Sequence, residues 1–145
     1  INTYLDTQGK CHIISALMRF GSGNMVTDNE SSGGFYVALD IEKECLIGTG
    51  KESIVYGSAV HTQHPDTKVL LNGYNIPFIK ESLELAKQAA GMIPTRVIGW
   101  DMAITPQGPV IIEGNSNPSL HMADIAFCGL CKLPIVQEIL REIQD

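Results

Sequence analysis

Two β-rich runs, Thr95–Ile104 and Pro109–Glu113, meet at Thr105-Pro106-Gln107-Gly108. Proline presets the second position of a type I turn, and glycine takes the left-handed position that follows, the composition of a three-residue hairpin loop with a bulge. The chain must therefore contain an antiparallel pair, which excludes an all-helical fold. Pairing Thr105 with Pro109 and counting back sets Asp101 directly opposite Glu113 on one face, and Asn115 joins that face if the strand continues. Ile98, Trp100, Met102 and Ile104 alternate onto the other face and are the predicted core.

The rest of the chain mixes strands and helices. Lys10–Phe20 alternates loosely and predicts a strand after the Thr7-Gln8-Gly9 turn, paired as a hairpin with the segment before it. Gly21–Gly34 holds several glycines and no proline among polar residues, the profile of a mobile loop that closes over a ligand. Strands are expected near Phe35–Asp40, Cys45–Ile47 and Ser53–Val60, then a connection over Thr62–Asn75 with a turn at His64-Pro65-Asp66-Thr67. Pro77 suits a first helical position, and Ile79, Leu83, Ala86 and Ala90 recur at helical spacing until Gly91, so Pro77–Ala90 is a predicted amphipathic helix. Leu133, Val136, Ile139, Leu140 and Ile143 mark another, beginning near Pro134. Without strict βαβ alternation this predicts an α+β fold, an antiparallel sheet with helices packed on one face.

At 145 residues the chain is expected to be a single domain. Sixteen acidic and ten basic side chains give a formal charge of −6, so no unspecific attraction to nucleic acid is expected. The longest nearly apolar stretch, around Cys11–Phe20, is far too short to span a bilayer, and no membrane partner is expected. The chain opens on Ile1 with no signal segment, which predicts a piece cut from a longer protein. Cys11, Cys45, Cys128 and Cys131 are too sparse for a disulfide scaffold and are read as reduced, in a cytoplasmic setting. A lone Cys128-x-x-Cys131, with His61 and His64 far away in sequence, lacks the complete set that a zinc site requires. Gly48-Thr49-Gly50-Lys51 fails as a phosphate loop because Cys45 stands where the first glycine belongs and Glu52 follows the lysine. Gly21-Ser22-Gly23 fails as a dinucleotide fingerprint because Val26 replaces the third small residue.

Two carboxylates facing each other across a ladder repel by about 0.2–1 kcal/mol, more if partly buried. A divalent cation would offset this, and the all-oxygen set of Asp101, Glu113 and Asn115 suits magnesium, which keeps several waters and leans on substrate phosphates. The alternative is a pair of solvated strand-end acids in a hairpin whose register is off by one.

From Trp100-Asp101 to Glu113-Gly114-Asn115-Ser116-Asn117-Pro118 the sequence resembles the carboxy-terminal part of the ATP-grasp superfamily, nearest to its sugar-transfer-associated or α-L-glutamate-ligase-like branch. Arg19 at a strand end, then a glycine-rich stretch leading to Asn29 and Gly33-Gly34, fit the same pattern, as do His64-Pro65-Asp66-Thr67 and Ile76-Pro77; the resemblance runs from about Lys10 to about Ala126. It implies carboxylate–amine ligation, in which ATP phosphorylates a small carboxylate and an amine displaces phosphate. It also implies two magnesium ions, held by Asp101, Glu113 and Asn115 against the ATP phosphates. By the same resemblance Arg19 would bind phosphate or acyl-phosphate oxygens, Asn29 would steer the transferring group, Gly33 and Gly34 would admit the backbone closely, and Asn117 would belong to the nucleotide side.

The amino-terminal ATP-grasp subdomain, with its lysines and adenine-binding linker, has no equivalent here, and the arginine expected soon after Ile1-Asn2-Thr3 is missing, with Tyr4 and Leu5 in its vicinity. The expectation is therefore a metal- and phosphate-binding half of a larger ligase, inactive by itself. Two other readings stand beside it: a non-catalytic nucleotide-binding or regulatory module derived from ATP-grasp, and an ATP-grasp kinase acting on a hydroxyl.

Overall fold

A computed structural model describes residues 1–23, 34–52 and 58–144. Its strands are β1 (Asn2–Leu5), β2 (Cys11–Ser15), β3 (Leu17–Phe20), β4 (Phe35–Asp40), β5 (Cys45–Glu52), β6 (Val60–His61), β7 (Val97–Thr105) and β8 (Gly108–Asn115). The helices are α1 (Ile79–Gly91), α2 (His121–Ala126) and α3 (Pro134–Gln144), with one 3-10 turn at Leu130–Lys132. The α+β class holds, but the strands divide between two antiparallel sheets, ordered β2-β1-β7-β8 and β3-β4-β5-β6. Among the described residues no helix is long and apolar enough to cross a membrane.

The chain forms two compact units. The first comprises Ile1–Ala16, Pro77–Leu120 and Gly129–Asp145; the second comprises Leu17–Ile76 and His121–Cys128. The predicted single strand over Lys10–Phe20 breaks at Ala16: Ser15 pairs with Asn2 in one sheet, while Leu17 pairs with Ala38 in the other. A run of that length exceeds the usual strand, and here it serves both sheets in turn.

In the first unit, α1 lays Ile79, Leu83, Ala86 and Ala90 inward at the predicted spacing. Ala86 and Ala90 pack with Ile98 and Trp100 of β7, joined by Ile1, Cys11, Ala89, Met102 and Ile111. The helix starts two residues later than Pro77 because Phe78 sits in the left-handed region at φ 60°, outside helical geometry. The indole N–H of Trp100 donates to Thr3 Oγ1 at 2.9 Å, and that hydroxyl donates to the carbonyl of Ile98 at 3.2 Å, so the buried polar atoms at the sheet's centre are satisfied. α3 is tied down through Glu142, whose Oε1 accepts from the Thr7 amide at 2.9 Å and from Arg96 at 2.7 Å. The Arg96 guanidinium also bonds the Tyr4 hydroxyl and lies 4.9 Å over its ring. Burial raises the Tyr4 phenol above its ordinary range, and the Glu142 hydrogen bond acts the same way.

In the second unit, β4 is buried almost throughout, from Phe35 to Leu39. α2 packs against β4 and β5. Gly50 lies directly under Phe35; a Cβ there would stand 2.6 Å from the ring, so the residue is glycine for space. Phe35 stacks on Phe20 at 5.3 Å, and His61 and His64 pack against the same ring at 5.2 and 5.5 Å. The expected strand over Ser53–Val60 lies partly outside the described residues, and its described end begins β6.

Candidate functional site

The hairpin β7–β8 places the acidic residues. From the turn, Thr105 pairs with Gly108, Ile104 with Pro109, Ala103 with Val110 and Met102 with Ile111. An irregularity follows, after which Asp101 pairs with Glu113, Trp100 with Gly114 and Gly99 with Asn115. The expected pairing of Thr105 with Pro109 is therefore one residue off at the turn, and the extra residue at Ile112 restores the count before Asp101 is reached. Gly108 does adopt positive φ, at 119°.

Alternation then separates two faces. Ile98 and Trp100 are buried, and Met102 and Ile111 pack beside them, whereas Asp101, Glu113 and Asn115 all lie exposed on the other side. Ile104 is only half-buried. Residues directly opposite in an antiparallel pair have Cβ atoms about 4.5–5.5 Å apart, so the two carboxylates can share one cation. Asn115 Oδ1 accepts the backbone N–H of Asn117 at 2.9 Å, which brings Asn117 to the same end of the hairpin. A carboxamide oxygen retains a second lone pair in that arrangement. The donor set is all oxygen and open to water, which fits a hard cation that stays partly hydrated.

Among the described residues no three His, Cys, Asp or Glu side chains are grouped to hold a metal ion, so a three-donor set at the hairpin depends on Asn115 as the third donor. His61 Nε2 lies 2.7 Å from Glu52 Oε1, and His64 Nδ1 accepts the amides of Asp66 and Thr67 at 3.2 and 3.4 Å. All four cysteines are thiols: Cys45 is buried and Cys11 half-buried, while Cys128 and Cys131 are exposed.

Arg19 and Gly34 belong to the second unit. Arg19 stands opposite Tyr36, one residue before the end of β3, and Gly34 is buried immediately before β4. Asn29 and Gly33, with most of the predicted loop, lie outside the described residues. The turn at His64–Thr67 forms as expected, closed by the bridge between Gln63 and Leu70. One link there escaped sequence reading: Asp66 Oδ2 accepts the N–H of Gly23 at 2.8 Å, holding the start of the glycine-rich stretch.

A family model described as sugar-transfer associated ATP-grasp matches residues 1–134. The chain belongs to that family. The match contains the whole β7–β8 hairpin and extends past both ends of the resemblance read from the motifs. No curated protein and no solved structure matches the chain. Membership in the ATP-grasp family points to ATP-dependent chemistry of the ligase or kinase type, and ATP-grasp proteins generally use ATP with Mg2+.

Proposed function

We propose that this ATP-grasp chain supplies the metal- and phosphate-binding side of an ATP- and Mg2+-dependent carboxylate–amine ligase. The observation that carries the reading is the direct pairing of Asp101 with Glu113 across β7–β8, with Asn115 on the same face. In such a ligase the γ-phosphoryl group of ATP passes to a carboxylate oxygen, giving ADP and an acyl phosphate. An amine then attacks the acyl carbon, the C–O bond to phosphate breaks, and the amine proton is lost as the amide forms.

Phosphoryl transfer depends on positioning and charge neutralisation more than on covalent help from the protein. Mg2+ held at Asp101, Glu113 and Asn115 would supply that neutralisation at the phosphate oxygens. The Arg19 fork suits bidentate contact with phosphate or acyl-phosphate oxygens. Asn29 steers the transferring group, Gly33 and Gly34 allow the backbone to approach it, and Asn117 completes the nucleotide side. An amino-terminal ATP-grasp subdomain completes the clamp around the adenine. The setting is the cytoplasm, where thiols such as Cys128 and Cys131 stay reduced.

Calorimetric titration of Mg2+ with a non-hydrolysable ATP analogue, into the protein and its Glu113→Gln variant, tests the reading. Metal-dependent binding should appear in the parent and fall at least tenfold in the variant. Equal binding in both would remove Glu113 from the site.

A further inference from the structure

Gly99 lies directly across from Asn115 in the β7–β8 ladder and directly across from Asn2 in the β1–β7 ladder. One alternation step from Asp101, its missing side chain belongs to the carboxylate face. That space is filled. A Cβ at Gly99 would stand 2.6 Å from Pro118 Cβ, 3.5 Å from Pro118 Cγ and 3.1 Å from Asn2 Oδ1. The backbone of Gly99 needs no left-handed geometry, since Gly99 is not among the residues of positive φ. Its role is therefore steric: the strand goes without a side chain here so that the proline ring can sit on it.

Seating Pro118 turns the chain back over the sheet just after β8, and a second contact closes the turn. The Asn117 amide donates to Asn115 Oδ1 at 2.9 Å. Proline also restricts the residue before it to extended geometry, so Asn117 is held from both sides. Asn2 is held in its turn, its Nδ2 donating to the buried Ser15 hydroxyl at 3.0 Å.

We propose that Gly99 and Pro118 form a seat that fixes the Asn115–Asn117 turn and thereby aims the Asn115 carboxamide at the cation held by Asp101 and Glu113. Both are positioning residues. The cation part of this inference rests on the reading under Proposed function; the geometry of the turn does not. Loss of an outer support of this kind typically weakens metal binding by about 10–100-fold.

The test uses two readouts on the purified protein. Mn2+ alone, followed by electron paramagnetic resonance, measures the cation site; hydrogen exchange at the Asn117 amide reports its bond to Asn115. In Gly99→Ala the Asn117 amide should exchange faster and Mn2+ affinity should drop by roughly tenfold. Combining Gly99→Ala with Pro118→Gly removes the 2.6 Å contact with the proline, so the double variant should recover melting temperature relative to Gly99→Ala while its Mn2+ affinity stays lowered. A folded Gly99→Ala protein with wild-type Asn117 protection would overturn the seat, and so would a lowered melting temperature with unchanged Mn2+ affinity. If Gly99→Ala does not fold, Pro118→Gly introduces no clash and decides the matter: wild-type protection of Asn117 in it refutes the proposal. Absence of Mn2+ binding in the parent protein would instead refute the cation site, and Asn117 exchange would still judge the seat.

Discussion

Asp6 organises the turn between β1 and β2. Its Oδ1 accepts the amides of Gln8 and Lys10 at 2.9 and 2.8 Å, and its Oδ2 lies 2.8 Å from His12 Nε2. The His12 hydrogen bond, with the Lys10 amide next, holds the Asp6 carboxyl below the ordinary carboxylate range. A lowered folded-state value means that ionised Asp6 favours the folded chain, fully so above the unfolded carboxylate's range. That contribution disappears as the pH falls through the lowered value. Carbon-detected NMR titration should therefore place the Asp6 midpoint below that of an unfolded aspartate, and Asp6→Asn should flatten the acid limb of stability against pH. Gly114 constrains the site at the same scale, because a Cβ there would stand 2.8 Å from the Trp100 ring. Gly114→Ala should cost about 1–3 kcal/mol by overpacking, seen as a lower denaturation midpoint with an unchanged slope. In the sequence Gly114 is one small residue between Glu113 and Asn115; only the pairing with Trp100 shows why it must be small.

The β7–β8 hairpin shows how much of an element can be read in advance. The turn residues and alternation were legible, and so was the opposition of Asp101 and Glu113. It was reached through two offsets that cancel: a turn pairing one residue tighter than expected, and an extra residue at Ile112. Ile111 and Ile112 are both isoleucine, so nothing in their chemistry marks which is the inserted one; their burial does, Ile112 being 67% exposed while Ile111 packs on the core. This leads to a paired expectation. Deleting Ile112 leaves a regular ladder in which Glu113 still faces Asp101, so Mn2+ binding should survive. Inserting an alanine between Ile112 and Glu113 shifts Glu113 by one position and turns it to the core side, so binding should be lost. Paramagnetic titration of both variants checks this. α1 was equally legible because its apolar spacing persists over several turns, whereas α2, six residues long, is too short to carry a period. The roles given to Asn29 and Gly33 came from resemblance alone and fall outside the described residues.

For the whole molecule, the α+β class was readable from the mixture of patterns, but the division into two sheets was not. Alternation along Lys10–Phe20 is blind to where a strand changes partners, since a strand has the same two-residue period whichever sheet it joins. The first unit depends on Trp100, 4% exposed and bonded to Thr3. Trp100→Ala should cost about 3–5 kcal/mol by cavity formation, and denaturant unfolding would measure it. Arg96→Ala removes the bond from Glu142 to the residue just before β7 and should raise hydrogen exchange along α3 while leaving the amides of α1 protected.

The pairing of β1 with β7 also sets a schedule for synthesis. Thr3 donates to the carbonyl of Ile98, 95 residues further along the chain. At bacterial or eukaryotic ribosome speeds that interval takes roughly 5–20 s. During it, one edge of the first strand has no β7 to bind, so a nascent-chain chaperone or an aggregation-prone neighbour has its opportunity there, well before the mature sheet closes.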